Sequence, residues 1–328
     1  MPLYRFIGYR QIRDLGRPPS QPFHLKPGND RAIIKSKPSS PLSTQTFRMA
    51  QPVILVTGSS EGIGKATATE LLSRGAAVII HSKSEKEVQV AQRELARRSG
   101  GEKPDTVTAD FSDMDQVRRM AGDLSSRYSF LNVLINNAGT YQKSRRLTKQ
   151  GIELSFAVNY LAPFLLTGLL LSLLRKGTPA RIVTVASSAH EDVDRIDWND
   201  LPAWYHYRAW DAYALSKFAD ITFTYMLARK IAGTGVIANC LHPGVTNTRL
   251  LRASFPGLSG ISPEDGAQTS VYLALSPRVA TISGRYFDEK KAVPSSKLTR
   301  NRTVQERLWK LAEGLTKDPA NPEGIFRF

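Results

Sequence analysis

Residues 52–64 read Pro-Val-Ile-Leu-Val-Thr-Gly-Ser-Ser-Glu-Gly-Ile-Gly, an apolar run followed by a glycine-rich turn. This pattern predicts a β-strand that passes through a tight turn into a helix, the local geometry that binds the pyrophosphate of a dinucleotide. Gly58 permits the turn, Gly62 lets the backbone approach the phosphates, and Gly64 lets the helix pack closely on the strand. The predicted phosphate-binding residues are Gly58, Ser60, Glu61, Gly62, Ile63 and Gly64.

From residue 52 onward, short apolar segments alternate with amphipathic, helix-like segments. The predicted strands are Val53–Val56, Ala77–Ile80, Thr106–Thr108, Val133–Ile135, Arg181–Val185, Val236–Leu241 and Gly284–Phe287. This alternation predicts an α/β fold, a single Rossmann domain over residues 51–315 whose doubly wound, mostly parallel sheet has seven strands and helices on both faces. The last helix is expected to open at a capping box, Thr303 to Glu306, before a tail at 316–328.

Residues 1–50 differ in character from the rest of the chain. They carry nine Lys and Arg against two acids, a local net charge of +7 within a total of +16. Apolar residues alternate with arginine at the start, and Pro and Ser are frequent from Pro18 to Ser43, which predicts an extended or disordered segment. Three interpretations stay open: an organelle presequence, a true start at Met49, or a peripheral membrane anchor.

Composition narrows the class of protein. A hydrophobic fraction of 41% predicts a large core, and the single cysteine, Cys240, fits a reducing compartment. The longest apolar run, Phe164–Leu174, is too short to span a bilayer and is expected to be a buried helix. We expect an intracellular, soluble protein without nucleic-acid or metal binding, cytoplasmic or, if the N-terminal segment is a presequence, mitochondrial.

The ends of the next predicted strands suggest which dinucleotide binds. An acidic residue after the second strand would accept the ribose hydroxyls of NAD, but this chain has Ser82 and Lys83 there, which suit a 2′-phosphate. The sequence therefore favours NADP, with NAD as the alternative. After the third strand, Asp110-Phe111 places a carboxylate where it can accept the adenine amino group. After the fourth strand, Asn137-Ala138-Gly139 lets the chain pass close to the cofactor.

Tyr213 and Lys217 lie at i and i+4 of a predicted helix and therefore share one face. A phenol, with an ordinary pKa of about 10, is a poor base at neutral pH, but a neighbouring ammonium stabilises the phenolate. Such a pair can exchange a proton with an alcohol or carbonyl oxygen. The same spacing at Tyr286 and Lys290 falls at a strand end and is not expected to act. Ser187 and Ser188 follow the fifth predicted strand, and the choice between them as a third site residue rests on the family resemblance described next.

These residues resemble the short-chain dehydrogenase/reductase family. The similarity covers about residues 52–315 and rests on an ordered set of motifs: Thr57–Gly64, Asn136–Gly139, Asn159, Ser188, Tyr213, Lys217 and His242-Pro243-Gly244. Further matches, among them Trp198–Leu201, Pro263–Thr269 and Ser283–Phe287, are similar to the retinol-dehydrogenase-like branch.

The resemblance implies a role for each residue. Tyr213 exchanges the proton, Lys217 holds the nicotinamide ribose, and Ser188 donates a hydrogen bond to the substrate oxygen. Asn159 supports a water relay behind Lys217. The remaining cofactor contacts would come from Pro243, Gly244, Val245 and Thr246. The family also implies a homodimer through the helices that carry Asn159 and Tyr213.

The sequence thus predicts an oxidoreductase that transfers hydride between NADP(H) and a carbonyl or alcohol, with a lipophilic aldehyde, ketone or alcohol as substrate. Two alternatives are an NADP-binding redox sensor without turnover and a double-bond reductase of the same family. An aromatic segment between Ser188 and Tyr213 is either a substrate wall or loop packing; it contains Trp198, Trp204, Tyr205, Tyr207 and Trp210.

Overall fold

The computed structural model describes residues 51–99, 103–201, 205–317 and 324–326. The N-terminal segment 1–50, Trp204 and most of the tail at 316–328 lie outside these residues. The expectations for the N-terminal segment, for the domain bounds and for cellular location therefore stay predictions.

The described residues form one sheet in the order β3-β2-β1-β4-β5-β6-β7-β8. Its strands are β1 Val53–Val56, β2 Ala77–Ser82, β3 Asp105–Thr108, β4 Val133–Asn136, β5 Ala180–Val185, β6 Val236–His242, β7 Tyr286–Asp288 and β8 Lys291–Val293. Strands β1 to β7 pair in parallel, and β8 is antiparallel to β7. The predicted α/β fold with a mostly parallel sheet is confirmed.

The predicted number of strands is wrong, because the described sheet has eight strands rather than seven. Strand β8 follows a tight turn in which Glu289 and Lys290 both have positive φ, 47° and 66°. It is three residues long and largely exposed, so it has no apolar run that would mark it in the sequence. The hairpin also places Tyr286 in β7 and Lys290 in the turn, so the two residues do not share a helix face.

The helices are α1 Gly62–Ser73, α2 Glu85–Arg98, α3 Met114–Arg127, α4 Leu154–Phe156, α5 Ala162–Lys176, α6 Ala209–Lys230, α7 Arg249–Ser254, α8 Pro263–Leu275 and α9 Arg302–Leu315. A π-helical turn, Ala157–Leu161, joins α4 to α5. Two cores cover the sheet, because alternate strand residues point to opposite faces. Leu55 packs on the side of α3, α5, α6 and α9, whereas Ile54 and Val56 pack on the side of α1, α2 and α8.

Helix α9 begins earlier than the sequence predicts. Its N-cap is Asn301, whose Oδ1 accepts a hydrogen bond from Val304 N at 3.2 Å, so the expected capping box at Thr303 is wrong. Asparagine is a stronger N-cap residue than threonine, and it lies two residues nearer the preceding turn. Trp309 of α9 packs against Phe164 of α5, with ring centroids 4.8 Å apart. Part of the helix surface expected in a dimer is therefore covered by α9, and dimerisation stays a prediction.

One helical stretch among the described residues, Leu154–Lys176, has the length and mean hydropathy (1.8) to cross a membrane. In its most apolar window 83% is buried inside the protein. The stretch contains the run Phe164–Leu174, which the sequence assigns to a buried helix. The packing of α5 between the sheet and its neighbouring helices accounts for its apolar composition.

Candidate active site

The glycine-rich turn after β1 leaves no room for side chains. Gly58 and Gly62 have positive φ, 62° and 57°. A Cβ on Gly58 would lie 2.7 Å from Ala138 Cα, and one on Gly64 would lie 2.2 Å from Gly58 O. The turn therefore requires glycine at these points for backbone conformation and for close packing.

The turns after β1 and β4 are joined by side chains. Asn137 Nδ2 donates to Thr57 O at 2.8 Å and to Gly58 O at 3.1 Å. Thr57 Oγ1 accepts from Asn137 N at 2.9 Å and from Ala138 N at 3.0 Å. Two sequence motifs about 80 residues apart thus form one rigid edge of the sheet.

The N-terminus of α1 has no side-chain cap, as is also true of α5 and α6, and unlike α6 it has no acidic residue in its first turn. Its N-cap residue is Glu61. By contrast, α2, α3, α8 and α9 are each capped by a side chain, from Ser84, Asp113, Ser262 and Asn301. Helix-terminal N–H groups without a cap attract anions. The turn and the helix end therefore fit a dinucleotide pyrophosphate.

The end of β2 carries two kinds of group. Ser82 is buried, and its Oγ donates to Glu87 Oε2 at 2.7 Å and lies 3.3 Å from Ser60 Oγ. Lys83 is exposed. The predicted hydroxyls and cation are thus adjacent, but the sequence analysis missed Glu87, a carboxylate one helical turn into α2 that accepts from the same serine.

His81, in β2, connects this end of the site to the glycine-rich turn and to the end of β3. Its Nδ1 accepts from Gly58 N at 3.0 Å, and its Nε2 lies 3.0 Å from Ala109 O. Burial lowers the pKa of His81 to about 4, so the ring is neutral at physiological pH. Phe111, expected at the cofactor, stacks on His81 with centroids 4.4 Å apart and is buried. Asp110 is partly exposed, and its Oδ1 accepts from Ser112 N at 2.9 Å.

Asn159 lies in the π-helical turn and is buried. Its side chain pairs with the backbone of Thr140, accepting from Thr140 N at 2.7 Å and donating to Thr140 O at 3.0 Å. Its Nδ2 also donates to Ser216 Oγ at 2.9 Å. Asn159 thereby ties the loop after β4 to α6. A π-helical turn inside a helix is frequent at functional sites.

Lys217 is buried on α6, one turn after the partly exposed Tyr213. Lys217 Nζ donates to Val185 O at 2.8 Å and to Asp220 Oδ2 at 3.0 Å. A Cβ on Gly139 would lie 3.8 Å from Lys217 Nζ and 3.5 Å from Asn159 Oδ1. The loop after β4, the π-helical turn and α6 therefore bring their predicted residues together.

The two serines after β5 have different surroundings. Ser187 Oγ accepts from Ala189 N at 3.2 Å and caps the short 3₁₀ turn Ser188–Asp192. Ser188 is exposed, and its backbone N donates to His242 Nδ1 at 3.2 Å. His242 ends β6, so it connects Ser188 to the loop that follows.

The loop after β6 is fixed against α8. Gly244 has a φ of 82°. Thr246 is buried, and its Oγ1 donates to Pro243 O or Gly244 O at 3.3 and 3.1 Å. A Cβ on Gly266 of α8 would lie 2.6 Å from that Oγ1. The predicted segment Pro243–Thr246 thus lies at the same edge of the sheet as the glycine-rich turn.

Aromatic rings surround Tyr213. Its ring centroid lies 5.6 Å from Tyr141 and 6.0 Å from Trp210, and Phe255 lies 5.3 Å from Tyr141 and 5.8 Å from Trp210. We call Tyr141, Trp210 and Phe255 the aromatic cluster. Trp198 packs instead against the core under Arg307, and Tyr205 is 73% exposed. The aromatic segment is therefore divided between loop packing and the site.

Sequence reasoning missed Tyr141, Phe255, His81, Glu87 and Asp220. Only Asp220 and Tyr141 had a usable signal, since one lies at i+3 from Lys217 and the other two residues after Gly139. Phe255 reaches the site through a loop whose sequence carries no recognisable pattern.

Comparison with known proteins gives a consistent result. Residues 52–258 match the family model described as short chain dehydrogenase. Human retinol dehydrogenase 11 is 36% identical over 284 residues, covering 84% of this chain and 89% of that protein. Mouse retinol dehydrogenase 14 is 37% identical over 282 residues, covering 79% of this chain and 84% of that protein.

Solved structures agree with this match. A protein from Mycobacterium paratuberculosis has a TM-score of 0.68 and 32% identity, covering 81% of this chain and 94% of that one. A short chain dehydrogenase from Escherichia coli CFT073, solved in complex with NADPH, has a TM-score of 0.62 and 25% identity, covering 73% and 97%.

Proposed function

The chain belongs to the short-chain dehydrogenase family, and we propose that it interconverts a lipophilic alcohol and its aldehyde or ketone using NADP(H). Membership makes it a retinol-dehydrogenase-like, NAD(P)-dependent oxidoreductase that acts on CH–OH or C=O groups. The observation that carries the proposal is the position of Lys217, buried one turn after Tyr213 and beside Asn159 at the edge that holds the glycine-rich turn.

Proton transfer is assigned to Tyr213. Lys217 donates to Val185 and Asp220, which leaves its third N–H for the ribose of the nicotinamide. Its positive charge stabilises the phenolate form of Tyr213, so that the phenol can take a proton from an alcohol or return it to a carbonyl oxygen. When bound, the nicotinamide accepts or supplies the hydride.

Ser188 and Asn159 are assigned to orientation. Because the Ser187 hydroxyl caps the 3₁₀ turn while Ser188 is exposed, Ser188 is the better donor to a substrate oxygen. The side chain of Asn159 makes hydrogen bonds to Thr140 and Ser216, so it holds the helix backbone beside Lys217 in place. The π-helical turn at that point changes the backbone hydrogen bonding and would leave a carbonyl for a bound water.

The preference for NADP is assigned to Ser82 and Lys83. A 2′-phosphate would meet one exposed ammonium and the hydroxyls of Ser60 and Ser82. Glu87 opposes this preference, because its carboxylate accepts from Ser82 and would equally accept the ribose hydroxyls of NAD. The solved relative with NADPH supports the preference for the phosphorylated cofactor.

The aromatic cluster supports a lipophilic substrate. A carbon chain that reaches Tyr213 must pass Tyr141, Trp210 and Phe255, whose rings are apolar and only partly exposed. The retinol dehydrogenases among the relatives are named for a lipophilic alcohol. Reduction is the favoured direction if NADPH is the cofactor.

The cofactor assignment is tested by titrating the full-length protein with NADPH and with NADH, following cofactor fluorescence. Lys83→Ala should weaken NADPH binding about tenfold and leave NADH unchanged, since a partly exposed charge-assisted contact is lost. Glu87→Gln is the matched variant and should weaken NADH or strengthen NADPH. Equal binding of both cofactors in every variant would overturn the preference for NADP.

The reaction is tested with a panel of aliphatic, aromatic and polyene aldehydes and ketones. Tyr213→Phe is the blank, because it keeps the ring in the aromatic cluster and removes only the acidic hydroxyl. Turnover that disappears in this variant supports the proposed reaction. NADPH binding without any turnover in the wild type would instead favour a redox-sensing module.

A further inference from the structure

Asp220 lies directly behind the predicted proton-transfer pair and has no assigned role in the reaction. It occupies α6 three residues after Lys217, and its side chain is 1% exposed. Its Oδ2 lies 3.0 Å from Lys217 Nζ, and its Oδ1 has no hydrogen-bond partner among the described residues. A carboxylate buried with half of its acceptor capacity unused is costly, so its retention at this point needs a reason.

The charge on Lys217 depends on what lies around it. The ammonium is 6% exposed, and its other described partner is a neutral carbonyl, that of Val185. Burial is the largest single influence and would lower the pKa of Lys217, but the charge and hydrogen bond of Asp220, together with the charge of Tyr213, raise it above its ordinary value. Burial in turn raises the pKa of Asp220, to about 7, against the opposing effect of Lys217.

The neighbouring titratable groups do not replace Asp220. Tyr160 of the π-helical turn and Cys240 of β6 both interact electrostatically with the carboxylate of Asp220. Burial raises the pKa of each, so both stay neutral at working pH. Tyr213 is the remaining titratable group that acts on Lys217. Thr224 donates only to the backbone carbonyl of Asp220.

We propose that Asp220 is a positioning residue that keeps Lys217 an ammonium ion in its buried place and fixes the direction of its free N–H. This inference rests on the proposed proton transfer at Tyr213. With Asp220 charged, two N–H groups of Lys217 are fixed by Asp220 and Val185, and the third is aimed elsewhere. Without that charge, burial favours the neutral amine, which cannot stabilise a phenolate.

The alternative role for Asp220 predicts a shift of the pH profile in the opposite direction. If its carboxylate merely offset the charge of Lys217, removing it would strengthen the field at Tyr213 and favour the phenolate. The pH profile of alcohol oxidation distinguishes the two, because oxidation requires Tyr213 as a base and falls at low pH. We call the part of the profile in which the rate falls at low pH the acid limb. Loss of the charge on Lys217 moves the acid limb to higher pH, whereas loss of an offsetting carboxylate moves it to lower pH.

The first measurement follows kcat for oxidation of the best alcohol from pH 6 to 10 with saturating cofactor, in the full-length protein. Asp220→Asn should move the acid limb upward by about one pH unit, with kcat about tenfold lower at pH 7 and recovering at high pH. Asp220→Glu keeps the charge and should restore the limb toward the wild type. The matched control is Asp211→Asn, which removes a carboxylate from the exposed first turn of α6.

The second measurement needs neither cofactor nor turnover. The protein is prepared with lysine that carries ¹³C at Cε, the carbon next to Nζ, and NMR follows the titration of each ammonium group. The Lys217 resonance is identified as the one that is absent from the Lys217→Met variant. In Asp220→Asn the midpoint of Lys217 should fall by roughly 3 to 5 pH units, as burial does to a lysine without a counter-charge, so that the amine is neutral where the acid limb lies. If Asp220→Asn does not fold, Asp220→Ser removes the charge with a smaller side chain and is judged by the same midpoint.

The outcomes separate this inference from the proposed function. A lowered Lys217 midpoint in a protein without turnover upholds the role of Asp220 and refutes the proposed reaction. An unchanged midpoint, an acid limb that stays or moves downward, or a loss of kcat equal at every pH would refute the role of Asp220, whatever the reaction.

Discussion

The cofactor half of the site and its substrate half are held together in different ways. The cofactor half comprises the turns after β1 and β4, joined by hydrogen bonds of 2.8–3.1 Å between backbone and short side chains. The substrate half is the aromatic cluster around Tyr213, in which rings from three separate segments lie with centroids 5.3–6.0 Å apart. The first half admits no added atom at Gly58 or Gly64, whereas the second half is held by contacts between ring side chains.

This difference has a consequence for function. A protein built this way could accept a different substrate through changes at Tyr141, Trp210 or Phe255 while the glycine-rich turn stays intact, because among the described residues the two halves meet only at α6 and in the loop after β4. Variants that damage one half should therefore leave the other measurable.

The largest effect is expected from Gly64→Ala, which tests how rigid the cofactor half is. The added Cβ would lie 2.2 Å from Gly58 O and 2.3 Å from Asn137 Nδ2, so both turns must move. We expect a loss of about 3 kcal/mol in the free energy of unfolding. We also expect at least about 100-fold weaker NADPH binding, a loss of about 2.7 kcal/mol. Urea unfolding and fluorescence titration measure the two effects.

Gly122→Ala is the control for this substitution. Gly122 lies inside α3 and has no atom within 4 Å of an added Cβ. Alanine there should stabilise the protein by up to about 1 kcal/mol, because it removes backbone freedom from a helix interior. Equal effects of the two substitutions would mean that the close contact at Gly64 relaxes without cost.

The same division explains what the sequence could predict. The cofactor half is encoded locally, because a glycine required by positive φ or by close backbone contact is visible in the sequence as a motif. Tyr213 and Lys217 were predicted from their helical spacing together with their position after the fifth strand. Phe255 was not predicted, because its approach depends on loop conformation and an aromatic residue in a loop has no distinctive local signature. Tyr141 was missed although it lies two residues after Gly139.

Other errors have equally local causes. Strand β8 was missed because three exposed residues after a turn carry no hydrophobic period. Glu87 was missed because it lies in α2, five residues after Ser82, from whose hydroxyl it accepts a hydrogen bond. The start of α9 was misjudged because the Thr303–Glu306 pattern resembles a capping box, although Asn301, a stronger N-cap residue than threonine, lies two residues earlier.

A second prediction concerns His81, which connects the glycine-rich turn to the end of β3. Burial lowers the pKa of His81 to about 4, below the value of about 6.5 that it has when unfolded. Below pH 6.5 the His81 ring binds a proton in the unfolded chain but not in the folded protein. The contribution of the neutral His81 to the free energy of unfolding is therefore lost as the pH falls from 6.5 to 4. The full loss is about 3 kcal/mol.

His81→Gln isolates this contribution, because carboxylates and the other histidines titrate in both proteins. Urea unfolding between pH 7.5 and 4.5 should show a steeper loss of stability in the wild type than in the variant. Parallel curves would mean that His81 exchanges protons freely in the folded protein and does not hold Gly58 as a neutral ring.

The smallest effect is expected in the substrate half. Phe255→Ala removes one ring of the aromatic cluster and should raise KM for a bulky apolar aldehyde about fivefold, a loss of about 1 kcal/mol. The affinity for NADPH should stay within about twofold, since Phe255 contacts other rings rather than the glycine-rich turn. Tyr205→Ala deletes a ring that is 73% exposed and lies outside the aromatic cluster, and it should leave both constants unchanged. If Phe255→Ala weakened NADPH binding as strongly as it weakened the aldehyde, the two halves would be one cooperative structure, and substrate recognition could not vary independently of the cofactor.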